Sequence, residues 1–311
     1  MTTTLADVIK AEKRIHQHFY PTPIEKADGL GENTFFKLEN LNFTRSFKIR
    51  GALNAILNLS EAERARGIIT ASAGNHAQGV AYAAQLTHTP ATVVMPKHTP
   101  QRKVQGTERY GANVILHGEG YTAAEIFALE QQHITGRTYI SPYNHREVIA
   151  GQGTIAMEFF EQLPRVDRVI VPVSGGGLIA GIALVCKLMN PDCEVIGVQS
   201  TATPAMYNYL YNTQFRAAET IAEGLEGEIE PGSMTLEMCR QYVDQVLLVE
   251  ENLLGENIRW MLETHNWVIE GAAAVGVAAL RSGQIPSDEK TTVVIIGGGN
   301  LDYTTLQSLL H

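Results

Sequence analysis

The chain has 311 residues and a formal net charge of −9 at pH 7. This length suits one large domain or two domains of medium size. The acidic excess argues against nucleic acid and anionic membrane surfaces as partners, because both bind clustered Lys and Arg side chains. Hydrophobic residues make up 44% of the sequence and charged residues 18%, which is typical of a globular protein with a sizeable core.

The cysteines and the N-terminal segment both indicate a cytoplasmic protein. Cys186, Cys193 and Cys239 show no metal-binding spacing, and we expect them to be free thiols. The first residues lack the basic stretch followed by an apolar run that marks a signal peptide. No apolar run approaches the roughly 20 residues that a membrane helix needs, so we expect no membrane partner.

Short β-branched runs alternate with longer helical segments along the chain. In chain order, the predicted strands are Thr34–Leu38, Ile68–Ala71, Thr92–Met95, Asn113–Leu116, Arg168–Val173, Val195–Gln199, Gln245–Val249 and Thr291–Ile296. The predicted helices include Ala52–Leu59, Ala77–Gln85, Tyr121–Gln132, Leu178–Leu188, Glu251–Thr264 and Ala272–Leu280. Most strands are continuously apolar, as strands covered on both faces are. The alternation therefore predicts parallel, doubly wound α/β sheets with ligand-binding loops at the carboxyl ends of the strands.

Lys48 lies in the run Thr44-Arg45-Ser46-Phe47-Lys48-Ile49-Arg50-Gly51-Ala52. Ser46 is the predicted N-cap of a helix, which places Lys48 in the first turn. The positive end of a helix and a pocket of low polarity both favour the neutral amine. Imine formation and proton abstraction require that neutral form. A solvated surface lysine is the more common alternative, so this interpretation depends on the neighbouring loops.

The loop Ser72-Ala73-Gly74-Asn75-His76-Ala77-Gln78-Gly79 joins a predicted strand to a predicted helix. Its small residues leave backbone N–H groups free at the helix start, which suits a carboxylate or a phosphate. The Asn75 amide is suited to bond a hydroxyl or phenolate oxygen on a ring. For His76 we favour a structural role over that of a catalytic base.

Two glycine runs also follow predicted strands. Consecutive glycines in Ser174-Gly175-Gly176-Gly177-Leu178 let the backbone approach a phosphate and turn its amides inward. The run Gly297-Gly298-Gly299-Asn300 occupies a similar position after the last strand. The first run alone is equally compatible with a tight strand–helix turn, and it is not a P-loop, because no Gly-Lys-Ser/Thr follows. For the second run alone, an ordinary turn is the favoured interpretation.

Two further segments carry weaker signals. Ile149-Ala150-Gly151-Gln152-Gly153-Thr154 is interpreted as a sharp entry into a helix, with a structural role favoured. Glu270 is a lone acid in an apolar stretch, so we expect it to be paired or to lie near a cofactor.

Taken together and in this order, the segments resemble a known family. Ser-Phe-Lys-Ile-Arg-Gly-Ala, Ser-Ala-Gly-Asn-His-Ala-Gln-Gly, Ile-Ala-Gly-Gln-Gly-Thr, Ser-Gly-Gly-Gly-Leu and the late Gly-Gly-Asn are similar to motifs of pyridoxal-phosphate (PLP) enzymes of the tryptophan synthase β-like fold, fold type II. Within that family the chain resembles the threonine/serine dehydratase group. The resemblance implies two doubly wound domains with mostly parallel sheets. Residues 1–43 and 142–311 would form a large phosphate-binding domain, and residues 44–141 a small domain carrying the lysine and the carboxylate loop.

The resemblance implies a PLP site built around Lys48. This residue corresponds to the Schiff-base lysine and to the acid/base group at the substrate Cα. Phe47 matches the residue that packs on the cofactor ring, and Asn75 matches the partner of the ring hydroxyl oxygen. The other implied cofactor-binding positions are Gly175, Gly176, Gly177 and Leu178 at the phosphate, Gly297 at the ring nitrogen, Glu270 near the ring, and Gly224.

The implied substrate is a small amino acid, and homo-oligomerisation is typical of the family. The amides of Ser72, Ala73, Gly74, Asn75 and His76 match the loop that holds the substrate carboxylate, and the Gly224 carbonyl matches a contact near the amino group. Arg45 replaces a glycine in the family's usual Thr-Gly-Ser-Phe-Lys. That cation suggests a substrate with an additional anionic group, and Arg45 is therefore a candidate substrate-binding residue.

Three other departures from the family narrow the expected chemistry. Ala73 replaces the serine that gives related serine racemases their second proton donor, which disfavours racemisation. Gln199 and Ala205 replace the Glu and Asp of a divalent-cation site found in relatives, so no metal site is expected. Gly297 replaces a Ser or Cys that commonly contacts the ring nitrogen, and a less protonated ring suits β-elimination.

These features predict a PLP-dependent ammonia-lyase that converts L-threonine, L-serine or both into a 2-oxo acid and ammonia. The first alternative is a dehydratase for another 3-hydroxy amino acid, such as hydroxyaspartate. A serine racemase, a β-replacement synthase and a non-catalytic PLP-binding relative are less favoured alternatives.

Overall fold

The computed structural model describes residues 2–310 as alternating helices and strands. The helices are α1 (Leu5–Ile15), α2 (Lys48–Leu57), α3 (Glu61–Arg66), α4 (Asn75–Leu86), α5 (Gln101–Glu108), α6 (Tyr121–Thr135), α7 (Arg146–Gln162), α8 (Gly177–Met189), α9 (Ala205–Tyr211), α10 (Met234–Tyr242), α11 (Asn252–His265), α12 (Gly271–Arg281) and α13 (Tyr303–Leu310). The strands are β1 (Ile24–Lys26), β2 (Thr34–Leu38), β3 (Ile68–Ala71), β4 (Ala91–Met95), β5 (Asn113–Leu116), β6 (Thr138–Tyr139), β7 (Arg168–Pro172), β8 (Glu194–Ser200), β9 (Gln245–Val249) and β10 (Thr292–Ile296). Two 3₁₀ turns cover Glu39–Leu41 and Glu223–Leu225.

The strands form two sheets. A six-stranded sheet has the order β1-β2-β10-β7-β8-β9, and a four-stranded sheet has the order β5-β4-β3-β6. All pairings are parallel except that of β1 with β2. The α/β class with mostly parallel, doubly wound sheets is therefore confirmed. The four strands of the smaller sheet fall inside the segment predicted as the small domain, while the domain boundaries themselves stay a prediction.

The predicted strands are all present within a residue or two, but two short strands and several helices were missed. Strand β6 has two residues and β1 has three, so neither gives a clear apolar pattern. The interpretation of 149–154 as a helix entry is wrong, because these residues lie in the middle of α7. The prediction that Ser46 caps α2 is also wrong: Phe47 occupies the N-cap, and Lys48 is the first helical residue.

The loops that follow parallel strands meet between the two sheets. The loop after β3 begins at Ser72, the loop after β7 contains Ser174, and the loop after β10 begins at Gly297. All three line one cavity. This is the crevice at the carboxyl ends of the strands where open α/β sheets bind ligands.

One hydrophobic core connects the helices of the two sheets. Its buried side chains include Leu53 of α2, Val93 of β4, Ile155 of α7 and Val171 of β7. Helix α2 packs against both α4 and α7. Helix α2, which begins at Lys48, is thus held between α4, which follows a strand of the smaller sheet, and α7, which precedes a strand of the larger sheet.

A fully buried cluster of charges anchors α2 beneath the cavity. The guanidinium of Arg50 bonds both carboxylate oxygens of Glu39, at 2.7 and 2.8 Å, and both oxygens of Glu158, at 2.6 and 2.8 Å. Lys37 donates to Glu158 at 2.6 Å. Burial raises the pKa of Glu158, but the charges of Arg50 and Lys37 outweigh it and hold that pKa at about 2. Two cations and two anions balance here, as burial of charge requires.

Within the described range, every helix is too short or too polar to span a lipid bilayer.

Candidate active site

A cavity of about 730 Å³ lies between the two sheets. It brings together fourteen of the fifteen predicted site residues: Phe47, Lys48, Ser72, Ala73, Gly74, Asn75, His76, Gly175, Gly176, Gly177, Leu178, Gly224, Glu270 and Gly297. These residues come from loops that are far apart in the sequence. The cavity is large enough for a cofactor and a small substrate together.

The Lys48 amine lies inside this cavity. Its Nζ donates a hydrogen bond to the carbonyl of Pro142 at 2.9 Å and lies 5.2 Å from the centre of the Phe47 ring. Burial lowers the pKa of Lys48 to about 8, and the negative charge of Glu270 opposes part of that shift. A substantial fraction of the amine is therefore neutral near physiological pH, as a nucleophile or a base requires.

The glycine run after β7 forms an amide cradle on one side of the cavity. Gly176 has a left-handed φ of 87°, and helix α8 begins at the next residue. A Cβ at this position would lie 2.8 Å from Met206 Cε and 3.0 Å from Thr235 Cβ, so both backbone shape and space favour glycine here. The first N–H groups of α8 have no partner within the helix and line the cavity with the positive end of its dipole, which suits a phosphate.

A second amide cradle is formed where α4 begins. Gly74 is the N-cap of α4, and its N–H donates to the Ser72 hydroxyl at 3.3 Å. The amides of Asn75, His76 and Ala77 form the first turn and have no partner within the helix. The cavity therefore has two anion-binding helix ends, of α4 and of α8, with Lys48 also at its wall.

The His76 ring is held in the protein interior. Its Nε2 lies 3.0 Å from the Ile140 carbonyl. Burial and the Lys48 charge lower the pKa of His76 to about 3, so the ring is neutral. These contacts agree with the structural role that was favoured for His76.

Glu270 faces Asn75 across the cavity wall. Asn75 Nδ2 donates to Glu270 Oε1 at 2.7 Å, and the backbone N–H of Asn300 donates to Glu270 Oε2 at 3.2 Å. Burial raises the pKa of Glu270 to about 7, although both hydrogen bonds lower it. Glu270 is thus paired with Asn75 and lines the cavity, while its place beside a cofactor stays a prediction.

Gly297 lies at the end of β10 beside Phe47. The Phe47 amide donates to the Gly297 carbonyl at 3.1 Å. A Cβ at position 297 would meet its nearest neighbour, Phe47 Cδ1, at an ordinary 3.5 Å. Packing does not demand glycine at this position, so the absence of a side chain leaves space beside the Phe47 ring.

Arg45 is the one predicted site residue that the structure leaves outside the cavity. Its side chain is exposed, and its backbone has a left-handed φ of 56°. The Arg45 carbonyl accepts a hydrogen bond from the Gly299 amide at 2.9 Å. Its main chain therefore supports the last glycine loop, while its side chain does not line the cavity.

Sequence reasoning missed several groups at the cavity. Tyr143 packs its ring against Gly175, where a Cβ would lie 2.6 Å from Tyr143 Cδ1. Helix α5 supplies Arg102 and Lys103, which pair with Asp302 and Glu223. None of these residues belongs to a recognisable motif, although the repeated charges at the start of α5 offered a weak signal.

Within residues 2–310, no group of three or more His, Cys, Asp or Glu side chains is arranged to hold a metal ion. The buried amide of Gln199 is hydrogen-bonded at both ends instead. Its Nε2 donates to the Thr203 carbonyl at 2.7 Å, and its Oε1 accepts from the Tyr207 amide at 2.8 Å.

Comparisons with known proteins agree with this geometry. Residues 15–298 match the family described as "Pyridoxal-phosphate dependent enzyme". An L-threonine ammonia-lyase from Thermotoga maritima is 42% identical to the chain, over 99% of this chain and 78% of that protein. The L-threonine dehydratase catabolic TdcB of Staphylococcus aureus is 40% identical, over 99% of this chain and 92% of that protein.

The fold is shared with a solved structure of maize serine racemase. The two superpose with a TM-score of 0.92 at 31% sequence identity, covering 100% of this chain and 97% of that one. The cavity has the donors that PLP needs: a lysine amine for its aldehyde, and amides at a helix end for its phosphate. The chain belongs to the family of pyridoxal-phosphate dependent enzymes.

Proposed function

We propose that this enzyme is an ammonia-lyase that converts L-threonine, L-serine or both into the corresponding 2-oxo acid and ammonia. The proposal rests mainly on Lys48, whose amine lies in one cavity with two amide cradles. Its relatives in Thermotoga maritima and Staphylococcus aureus, named for threonine, support this choice of substrate. The activity follows from what each cavity residue can do.

Bound PLP supplies the electron sink for the electrons left at Cα when its proton is removed. Lys48 Nζ would hold the cofactor before the reaction and take the Cα proton during it. The α8 amides around Gly176 would bind the cofactor phosphate, and Asn75 the ring hydroxyl oxygen. Phe47 would pack on the ring, with Gly297 beside the ring nitrogen.

The second cradle would orient the substrate. The Ser72 amide already donates to the Val94 carbonyl at 3.1 Å, so the amides from Ala73 to His76 would hold the substrate carboxylate. The Gly224 carbonyl would contact the substrate amino group. A carboxylate fixed at the α4 N-terminus leaves the Cα proton free to face Lys48. Ala73 has no proton to deliver, which supports elimination over racemisation.

A panel of amino acids tests the reaction. We expect ammonia and a 2-oxo acid in equal amounts from L-threonine or L-serine, with 2-oxobutanoate and pyruvate as the respective products. A 3-hydroxyaspartate arm tests the first alternative, and the formation of D-serine from L-serine tests racemisation. Turnover confined to hydroxyaspartate, or D-serine as the main product, would overturn the proposal.

Arg45→Gly is expected to leave the order of preferred substrates unchanged, because the Arg45 side chain is exposed and does not line the cavity. Glycine also adopts the left-handed backbone of position 45 without strain. The measurement is kcat/KM for threonine, serine and hydroxyaspartate in the variant and the wild type. A selective loss of hydroxyaspartate turnover would restore the original interpretation of Arg45 as an anion-binding residue.

Three further proposals concern the whole protein: the family resemblance supports the first and the third, and the free cysteines support the second. We infer a small domain of residues 44–141 inserted into a large domain of residues 1–43 and 142–311. We also infer a cytoplasmic location and a homo-oligomer. Limited proteolysis, cell fractionation and the molar mass of the holoenzyme in solution test these three points.

A further inference from the structure

The side-chain amide of Asn75 has two possible orientations that differ in what it offers to a ligand. Its oxygen only accepts hydrogen bonds, and its NH₂ group donates two. In the structure, Asn75 Oδ1 accepts from Asn300 Nδ2 at 2.7 Å, while Asn75 Nδ2 donates to Glu270 Oε1 at 2.7 Å. The flipped amide would place two oxygens together at Glu270 and two NH₂ groups together at Asn300. Only the observed orientation satisfies both neighbours.

Main-chain groups determine the orientation of these neighbours. Asn300 Nδ2 also donates to the carbonyl of Thr44 at 2.9 Å, and a backbone carbonyl can only accept. Both hydrogens of Asn300 Nδ2 are therefore used. At the other end, Glu270 Oε2 accepts from the backbone N–H of Asn300 at 3.2 Å, and that group can only donate. These main-chain groups therefore fix the direction of each hydrogen bond in the series that links the Thr44 carbonyl, the Asn300 and Asn75 side-chain amides and the Glu270 carboxylate.

The last glycine loop is shaped around the Glu270 carboxylate. The Glu270 amide donates to the Gly298 carbonyl at 3.1 Å. A Cβ at position 298 would lie 2.7 Å from Glu270 Cδ, closer than atoms pack. Glu270 is therefore held by backbone contacts on one side and by Asn75 on the other.

We propose that Glu270 and Asn300 are positioning residues that fix the Asn75 amide with one N–H free to bind the ring oxygen of PLP. One hydrogen of Asn75 Nδ2 is committed to Glu270, and Asn75 lines the cavity where the second can serve a ligand. This inference rests on the proposed role of Asn75 in holding the cofactor. In this role both carboxylate oxygens of Glu270 must accept hydrogen bonds, one from Asn75 Nδ2 and one from the Asn300 backbone amide.

Glu270→Gln tests the proposal with little change in shape. A glutamine has one acceptor and one NH₂ group, so it cannot accept from both Asn75 Nδ2 and the Asn300 amide. We expect the affinity for PLP to fall by about tenfold, the effect of one lost hydrogen bond. The visible absorption spectrum of the PLP-reconstituted variant should also differ from that of the wild type. Both measurements need no substrate.

The double variant Asn75→Asp with Glu270→Gln separates positioning from general damage. The introduced glutamine then donates to the introduced aspartate and accepts from the Asn300 amide, so every hydrogen bond within the chain is restored. The aspartate carboxylate, however, has no N–H to offer the cofactor. We expect the thermal midpoint of the double variant to recover toward the wild type, while the PLP spectrum and affinity stay altered.

A Glu270→Gln variant with the wild-type PLP spectrum and affinity would overturn the inference. A double variant with the wild-type PLP spectrum would also overturn the inference. The double variant is the deciding measurement in the case that the single variant does not fold. Failure of the proposed function gives a different result, because the wild-type enzyme loaded with PLP would then release no 2-oxo acid from L-threonine or L-serine, whatever the spectra of the variants.

Discussion

Lys48→Ala is expected to abolish the visible absorption band of bound PLP and to lower 2-oxo acid release by a factor on the order of 10² to 10⁴ or more, the range for a lost acid/base group. The Lys48 amine lies in the cavity, 2.9 Å from the Pro142 carbonyl. Its pKa, lowered to about 8 by burial, makes a neutral amine accessible. Lys103 also lines the cavity, but its amine is paired with the Glu223 carboxylate. The measurements are the absorption spectrum and the rate of 2-oxo acid release.

Two control variants separate chemistry from charge. Lys48→Arg keeps the positive charge, but a guanidinium does not lose its proton in proteins, so this variant should be as inactive as the alanine. Lys97→Ala removes an exposed lysine that does not line the cavity and should leave turnover unchanged. Normal 2-oxo acid release by the Lys48→Ala variant would remove this residue from the mechanism.

The loops around the cavity could be predicted from the sequence because each follows a strand. Strands β7 and β10 are parallel neighbours in one sheet, so the loops near Ser174 and Gly297 lie at the same edge. The loop near Ser72 follows β3 of the other sheet, and the packing of the two sheets, which no sequence pattern shows, brings it to the same cavity. Arg45 was predicted to lie at the substrate because it is only three residues from Lys48, but closeness in sequence does not bring a side chain into the same cavity. Arg45 has a left-handed φ of 56° and an exposed side chain, whereas Phe47, two residues later, lines the cavity.

Helix α7 was missed because its glycines resemble those of a turn. In the structure they permit close helix packing instead. A Cβ at Gly151 would lie 2.6 Å from the Gly51 Cα, and one at Gly153 would lie 3.0 Å from the Gly181 carbonyl. Tertiary contacts with α2 and α8 therefore explain these glycines, and no pattern within α7 itself shows such contacts.

Arg50→Met is expected to destabilise the protein by about 3–5 kcal/mol, because it leaves two carboxylates buried without their main cation. Glu39 and Glu158 are both fully buried, and Lys37 contacts only Glu158. For a chain of this size the thermal midpoint of the apo-protein should fall by on the order of 10 °C. Since α2 begins at Lys48, PLP affinity should fall as well. Differential scanning calorimetry and PLP titration measure the two effects.

Arg168→Met provides a matched control with a smaller expected loss. Arg168 is also buried and also pairs with two carboxylates, but Glu194 and Asp288 keep side-chain exposures of 27% and 35%. Water can solvate these two partners when the guanidinium is removed, which limits the penalty. Adding Glu39→Gln to Arg50→Met should recover part of the stability, because it removes the carboxylate that Lys37 does not contact and leaves the buried Lys37–Glu158 pair intact. Equal losses from Arg50→Met and Arg168→Met would show that burial of the carboxylates does not determine the cost.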